Sequence, residues 1–173
     1  MVLTKDELIR SVQNEIRIIL HLISKIDPAQ LEFRPAPKVR STRELLQYIT
    51  IFGPMHLKGV LADSWEMESW RQEWTKQMES EDGSDLERVK QKLEAESAMF
   101  AEVLGSVDDA KLRETFEMFG MLKGTRGALL VSMLLSHYAA YRMQLFMNLK
   151  LSGREELSTM NLWAGIDMPA AAA

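Results

Sequence analysis

Aliphatic β-branched residues recur along the first stretch of the chain at alternating steps of three and four: Ile9, Val12, Ile16, Ile19, Ile23 and Ile26. On a helix these positions share one face, so the pattern predicts an amphipathic helix over residues 5–26 with one buried stripe. Asp27-Pro28 stops it, and Arg34-Pro35-Ala36-Pro37 predicts an extended linker, because proline lacks the N–H and biases its predecessor away from α. The same spacing predicts a second helix over 42–63, burying Leu45, Ile49, Phe52 and Val60, with a kink at Gly53-Pro54. A third, over 85–104, buries Leu86, Val89, Leu93, Phe100 and Val103. A fourth, over 126–151, buries Leu130, Leu134, Tyr141 and Leu145 and stops at Gly153.

Start signals support these boundaries. Thr4 with Glu7, Ser41 with Glu44, and Ser84 with Glu87 each place a hydroxyl three residues before a carboxylate, the arrangement of a capping box. Thr125, after Gly124, marks the fourth start. The pattern predicts an all-α four-helix bundle over residues 4–153, with a C-terminal extension over 154–173 that ends in a loose tail from Met168 onward. The long connection over 64–83 is the crossover between helices two and three, and Trp65, Trp70 and Trp74 predict an ordered turn or helix packed over the bundle. Residues 105–124, with Phe116, Met118 and Phe119, are expected to cover one end.

Composition narrows the function classes. The 173 residues suffice for one domain, and 46% hydrophobic with 27% charged residues is a globular balance. A net charge of −4 without a basic run argues against a nucleic-acid partner. The chain has no cysteine, which removes thiolate ligands, cysteine nucleophiles and disulfides. The acidic opening segment does not resemble a signal peptide, and charges interrupt every apolar stretch, so a cytoplasmic protein with no membrane partner is expected.

Three histidines carry the candidate chemistry. His21 falls opposite the isoleucine stripe and is expected in solvent. His137 falls in the middle of the apolar face of helix four, in line with Tyr141, Gln144 and Asn148. On helix two, Tyr48 and His56 sit on or beside the apolar face, about 12 Å apart along the axis, so they do not both join His137 unless the Gly53-Pro54 kink moves His56. A pocket formed by Tyr48, His137, Tyr141 and Gln144 is one expectation. The other is a polar strip whose members only satisfy one another by hydrogen bonds.

The approach to helix two, residues 31–49, and the helix-four segment over residues 134–145 resemble the DinB-like superfamily. The likeness spans about residues 4–153 in helix order and loop length. It implies a four-helix bundle, often a homodimer, in which one histidine of helix two and a His-x-x-x-His pair of helix four bind a divalent zinc or nickel ion. It also implies activities such as thiol-dependent transfer with mycothiol or bacillithiol, or maleylpyruvate isomerisation. The three ligand positions fall on Tyr48, His137 and Tyr141, so the implied metal site is degenerate. Neutral phenols are poor partners for zinc or nickel, and no cofactor is expected. Rescue by His56, Glu15 or Glu96 would restore a ligand set.

The function expected is therefore a non-metal module that binds a small molecule or a partner through the pocket between helices two and four. The alternatives are a divalent-metal enzyme related to the thiol S-transferases and a purely structural homodimer. Four tryptophans and twelve methionines also favour a homodimer, since one small bundle does not readily hide so much apolar surface.

Overall fold

The computed structural model describes residues 3–64, 66–81 and 83–168. Trp65 of the crossover and residues 169–173 of the expected tail lie outside the described residues. The chain is mostly helical, with one small two-stranded sheet.

Helix α1, Lys5–Ile23, opens on a capping box. Thr4 Oγ1 accepts from the Glu7 amide at 3.2 Å, and Glu7 Oε2 accepts from the Thr4 amide at 2.7 Å. The helix ends three residues before the predicted stop, but the Lys25 and Ile26 amides bond to carbonyls three residues back and keep Ile26 in the core. Helix α2, Thr42–Leu61, opens on the Ser41 and Glu44 box. It runs through Gly53-Pro54 as a single helix. Helix α3, Met67–Ser80, occupies the crossover. At α4, Leu86–Ser106, the expected Ser84 cap is replaced by Asp85, whose carboxylate accepts from the Arg88 amide at 2.8 Å. Ser84 instead donates to Glu81 Oε2 at 3.0 Å, in a turn that Lys92 and Arg88 also neutralise.

The fourth long segment is α6, Arg126–Leu130, a π-helical turn, Val131–Leu135, and α7, Ser136–Leu151. Gly153 stops it with φ of 108°, and the Arg154 amide closes onto the Leu149 carbonyl at 3.0 Å. Helix α1 packs on α4 and α7, and α2 packs on the same two helices. Val12, Ile19, Leu45, Ile49, Phe52, Leu93, Phe100, Leu134, Tyr138 and Leu145 meet between them, all fully buried. Each such aliphatic side chain contributes about 1.5–3 kcal/mol of transfer free energy.

Residues 105–125 depart from a purely helical expectation. After the short α5, Asp109–Arg113, strands β1, Thr115–Met118, and β2, Leu122–Thr125, pair antiparallel. Phe116 and Met118 are buried while Thr115 and Glu117 are exposed, the period-two alternation of a strand lying on a core. The buried Arg126 joins this end to α2. It ion-pairs with Glu114 at 3.3 Å, lies 4.1 Å over the Phe116 ring and donates to the Val60 and Ala62 carbonyls, which α2 leaves open at its C-terminus.

The extension from residue 154 packs on the same core. Leu157, Asn161 and Leu162 are buried, and α8, Thr159–Trp163, lies against α1. The buried Arg142 of α7 pairs with Glu15 of α1 at 2.8 Å and donates to the Leu162 carbonyl at 2.5 Å. His21, expected in solvent, is half-buried beneath this segment, with Nε2 3.1 Å from the Asn161 amide nitrogen. No helix among the described residues is long and apolar enough to cross a membrane.

Candidate functional site

Tyr48, Phe52 and His56 follow one another at four-residue steps and so lie on one face of α2. His137 and Tyr141 do the same on α7. The ring of Tyr48 meets that of Tyr141 at 5.0 Å between centroids, while His56 stacks on His137 at 5.9 Å with 23° between planes. Ascending residues on one helix thus meet descending residues on the other, as antiparallel neighbours must. Phe52 sits between the pairs, 5.8 Å from His137 and 5.4 Å from Tyr141.

Helix α3 contributes two further rings. Trp74 lies 5.1 Å from Tyr48 and 6.5 Å from His56, and Trp70 lies 6.0 Å from His56 and stacks on Trp74. Phe119 of the hairpin turn closes edge-on against Trp70 at 5.6 Å. Opposite it, the Arg40 guanidinium lies 3.9 Å over the Tyr48 ring, a cation–π contact. The rings pack against one another, so the site is a half-open aromatic surface and not an enclosed chamber. Tyr48, Trp70, Trp74, His137 and Tyr141 are all half-buried.

His137 does not occupy the centre of the apolar face. That place belongs to Tyr138, which is fully buried. The π turn is the cause: its i to i+5 bonding accommodates an extra residue, so a wheel drawn at 100° per residue from Leu130 no longer holds beyond it. His137 therefore lies at the edge of the core, facing α2.

Both imidazoles of the stacked pair are held the same way. His56 Nδ1 is 2.6 Å from the Phe52 carbonyl oxygen, and His137 Nδ1 is 3.0 Å from that of Ser132. A carbonyl only accepts, so Nδ1 carries a proton in each ring. Burial holds the His56 pKa below the usual histidine range, and His137 opposite adds to this, outweighing the Phe52 carbonyl. Burial, with the Tyr141 hydroxyl beside it, pushes the Tyr48 phenol well above its ordinary value.

The other residues singled out in the sequence are dispersed. Gln144 is half-buried one turn beyond Tyr141 and makes no hydrogen bond or ring contact to Tyr48, His137 or Tyr141 among the described residues. Asn148 is buried elsewhere, 3.5 Å from the Thr42 hydroxyl. Glu15 is taken by Arg142 and Glu96 by the Tyr138 hydroxyl, at 2.8 Å each. His56, set apart from His137 by its distance from Tyr48 along α2, is the residue that meets His137. The i, i+4, i+8 series of aromatic rings from Tyr48 through Phe52 to His56 was the signal available for it.

The donor set does not fit a tightly held zinc or nickel ion. Tyr48 stays a neutral phenol, and among the described residues no three His, Asp or Glu side chains converge. Compared with models of known protein families and with curated proteins, the chain matches none.

Proposed function

We propose that this chain is a DinB-like four-helix bundle that works without a metal and binds a flat small molecule on its aromatic surface. The observation that carries the reading is the half-buried cluster of Tyr48, His137, Tyr141, Trp70 and Trp74, assembled from α2, α3 and α7 at centroid distances of 5.0–6.1 Å. Aromatic faces gain about 0.5–1.5 kcal/mol per stacked partner beyond burial, and His137, with Nδ1 fixed on the Ser132 carbonyl, leaves Nε2 for a directional hydrogen bond. The helix order and the packing of α1 and α2 on α4 and α7 support the bundle reading. The two tyrosines at ligand positions support the loss of metal.

The bound state is proposed to be a homodimer, supported by the stripe of Met143, Met147 and Leu151 on α7, which are 39%, 44% and 59% exposed. The test of ligand binding uses Trp70 and Trp74 as reporters. Quinoline and adenine are titrated while tryptophan emission is followed in wild type, Tyr48→Ala and His137→Ala. Saturable quenching in wild type that is lost in both variants is expected. Quenching unchanged by either substitution would place binding elsewhere and overturn the reading.

The metal-dependent enzyme remains the second reading, favoured by one observation, the stacked His56 and His137, each with Nδ1 held on a backbone carbonyl and Nε2 left for a ligand. Stoichiometric zinc or nickel uptake by wild type would select it.

A further inference from the structure

Between α2, α3 and α4, lined by none of the rings of the aromatic surface, a cavity of 390 Å³ opens. Its walls are largely apolar, with Ile51, Met55 and Met99. Two of its polar lining residues are buried: Thr50, whose hydroxyl is spent on the Gln47 carbonyl, and Glu96, only 6% exposed. The Tyr138 hydroxyl, itself fully buried, donates to Glu96 Oε2 at 2.8 Å. The lysine one turn before it, Lys92, is committed to Glu81.

Among the described residues Glu96 has no ion pair, and burial, foremost, pushes its pKa well above the usual carboxylate range against the Tyr138 hydroxyl and Lys92, which favours the neutral acid. Oε2 accepts from the tyrosine, and Oε1, with no hydrogen-bond partner among the described residues, is the oxygen left to carry the acid proton toward whatever fills the cavity. The lining also carries Lys58 and Glu73, opposite in charge, and Lys92, whose ammonium is paired with Glu81. The volume lies in the range of about 300–1,000 Å³ typical of small-molecule sites.

We propose that this cavity binds a neutral, mostly apolar small molecule carrying a carbonyl group, which accepts a hydrogen bond from the Glu96 carboxylic acid. An acid at the floor of an apolar cleft discriminates for an acceptor, because an apolar ligand leaves the donor unpaired. An ammonium ligand would have to ionise the buried Glu96, and a carboxylate ligand would meet Glu96 with the nearest lysine, Lys92, already paired with Glu81. The site is separate from the aromatic surface and does not depend on the function proposed for it.

The test uses the full chain labelled with ¹³C in the methionine methyls, titrated with acetophenone, benzylamine and benzoate. Met55 and Met99 each border a second cavity, but both line this one. Saturable shifts of both methyl signals with acetophenone are expected, with affinity about tenfold above the two charged probes. Glu96→Gln, which keeps an N–H donor, should bind acetophenone within about threefold of wild type, while Glu96→Leu should bind about tenfold more weakly. Tyr48→Ala should leave the titration unchanged, so its outcome is independent of the quinoline result. Absence of joint Met55 and Met99 shifts, or tighter binding of benzylamine or benzoate, overturns the proposal from wild type alone. Equal binding by a folded Glu96→Leu would reduce the site to an apolar void and overturn it as well.

Discussion

His56 of α2 and His137 of α7 stack at 5.9 Å between centroids, each with its protonated nitrogen turned onto a backbone carbonyl of its own helix. A proton on His56 would place a charge beside His137 and inside a wall of aromatic rings, where solvation is poor.

The pH dependence of stability follows from the direction of that shift. The folded-state pKa of His56 lies below its ordinary 6.5, chiefly through burial. The unfolded chain therefore takes up the proton first as pH falls. The stabilisation is complete above about pH 6.5 and is lost as pH drops through that value toward the lower folded pKa. His21, also lowered by burial, adds a slope of the same sign. Glu96, raised by burial, adds a slope of the opposite sign, so the comparison is between proteins: urea unfolding from pH 7.5 to 5 should show wild type losing stability relative to His56→Gln. Identical slopes would show that His56 is not held neutral.

Gly53 faces the Tyr138 hydroxyl across the α2 and α7 contact. A methyl group at position 53 would lie 2.0 Å from Tyr138 Oη and 3.1 Å from Phe100 Cζ. Helix propensity alone would favour alanine by about 1 kcal/mol. The clash is expected to win, so Gly53→Ala should destabilise by about 1–3 kcal/mol in calorimetric or denaturant unfolding. Adding Tyr138→Phe should recover only part of the loss, because the ring carbon Cζ would still be 2.8 Å away. A more stable Gly53→Ala protein would contradict the packing.

Tyr48 and Tyr141 meet at 5.0 Å, with His137 one turn from Tyr141 and 6.1 Å from its ring. Replacing both tyrosines, Tyr48→His with Tyr141→His, would bring three or four imidazoles to one place. Isothermal titration with zinc and nickel should detect stoichiometric binding in the double variant and none of comparable strength in wild type. Binding by neither protein would show that the backbone does not hold these positions in coordination geometry.

Met147 is 44% exposed in the middle of the α7 stripe. If that stripe forms the homodimer, Met147→Glu would place two like charges near each other in an apolar contact. Sedimentation equilibrium should find a dimer for wild type at micromolar concentration and a monomer for the variant. A monomeric wild type would remove the homodimer.

Helix positions were legible because they are governed by local rules. The Thr4 and Ser41 boxes and the Thr125 cap act within four residues, and the apolar spacing of α1 holds for its full length. Even Ser84 was displaced by only one position, because Asp85 competes for the same amide. The hairpin was missed although Thr115, Phe116, Glu117 and Met118 alternate, since a run of four is too short to outweigh the surrounding helical pattern.

The inward-facing polar residues were less legible. Periodicity assumes a constant turn, and the π turn over Val131–Leu135 breaks that assumption just before His137. It exchanges the core place from His137 to Tyr138, and with it the partner of Glu96. The sequence by itself determined where the long helices begin and end, because capping and amphipathic spacing are properties of neighbouring residues. Only the tertiary structure decided that His56 meets His137, that α3 supplies two tryptophans to them and that Glu96 is buried at a cavity, because each depends on how separate helices are rotated and stacked against one another.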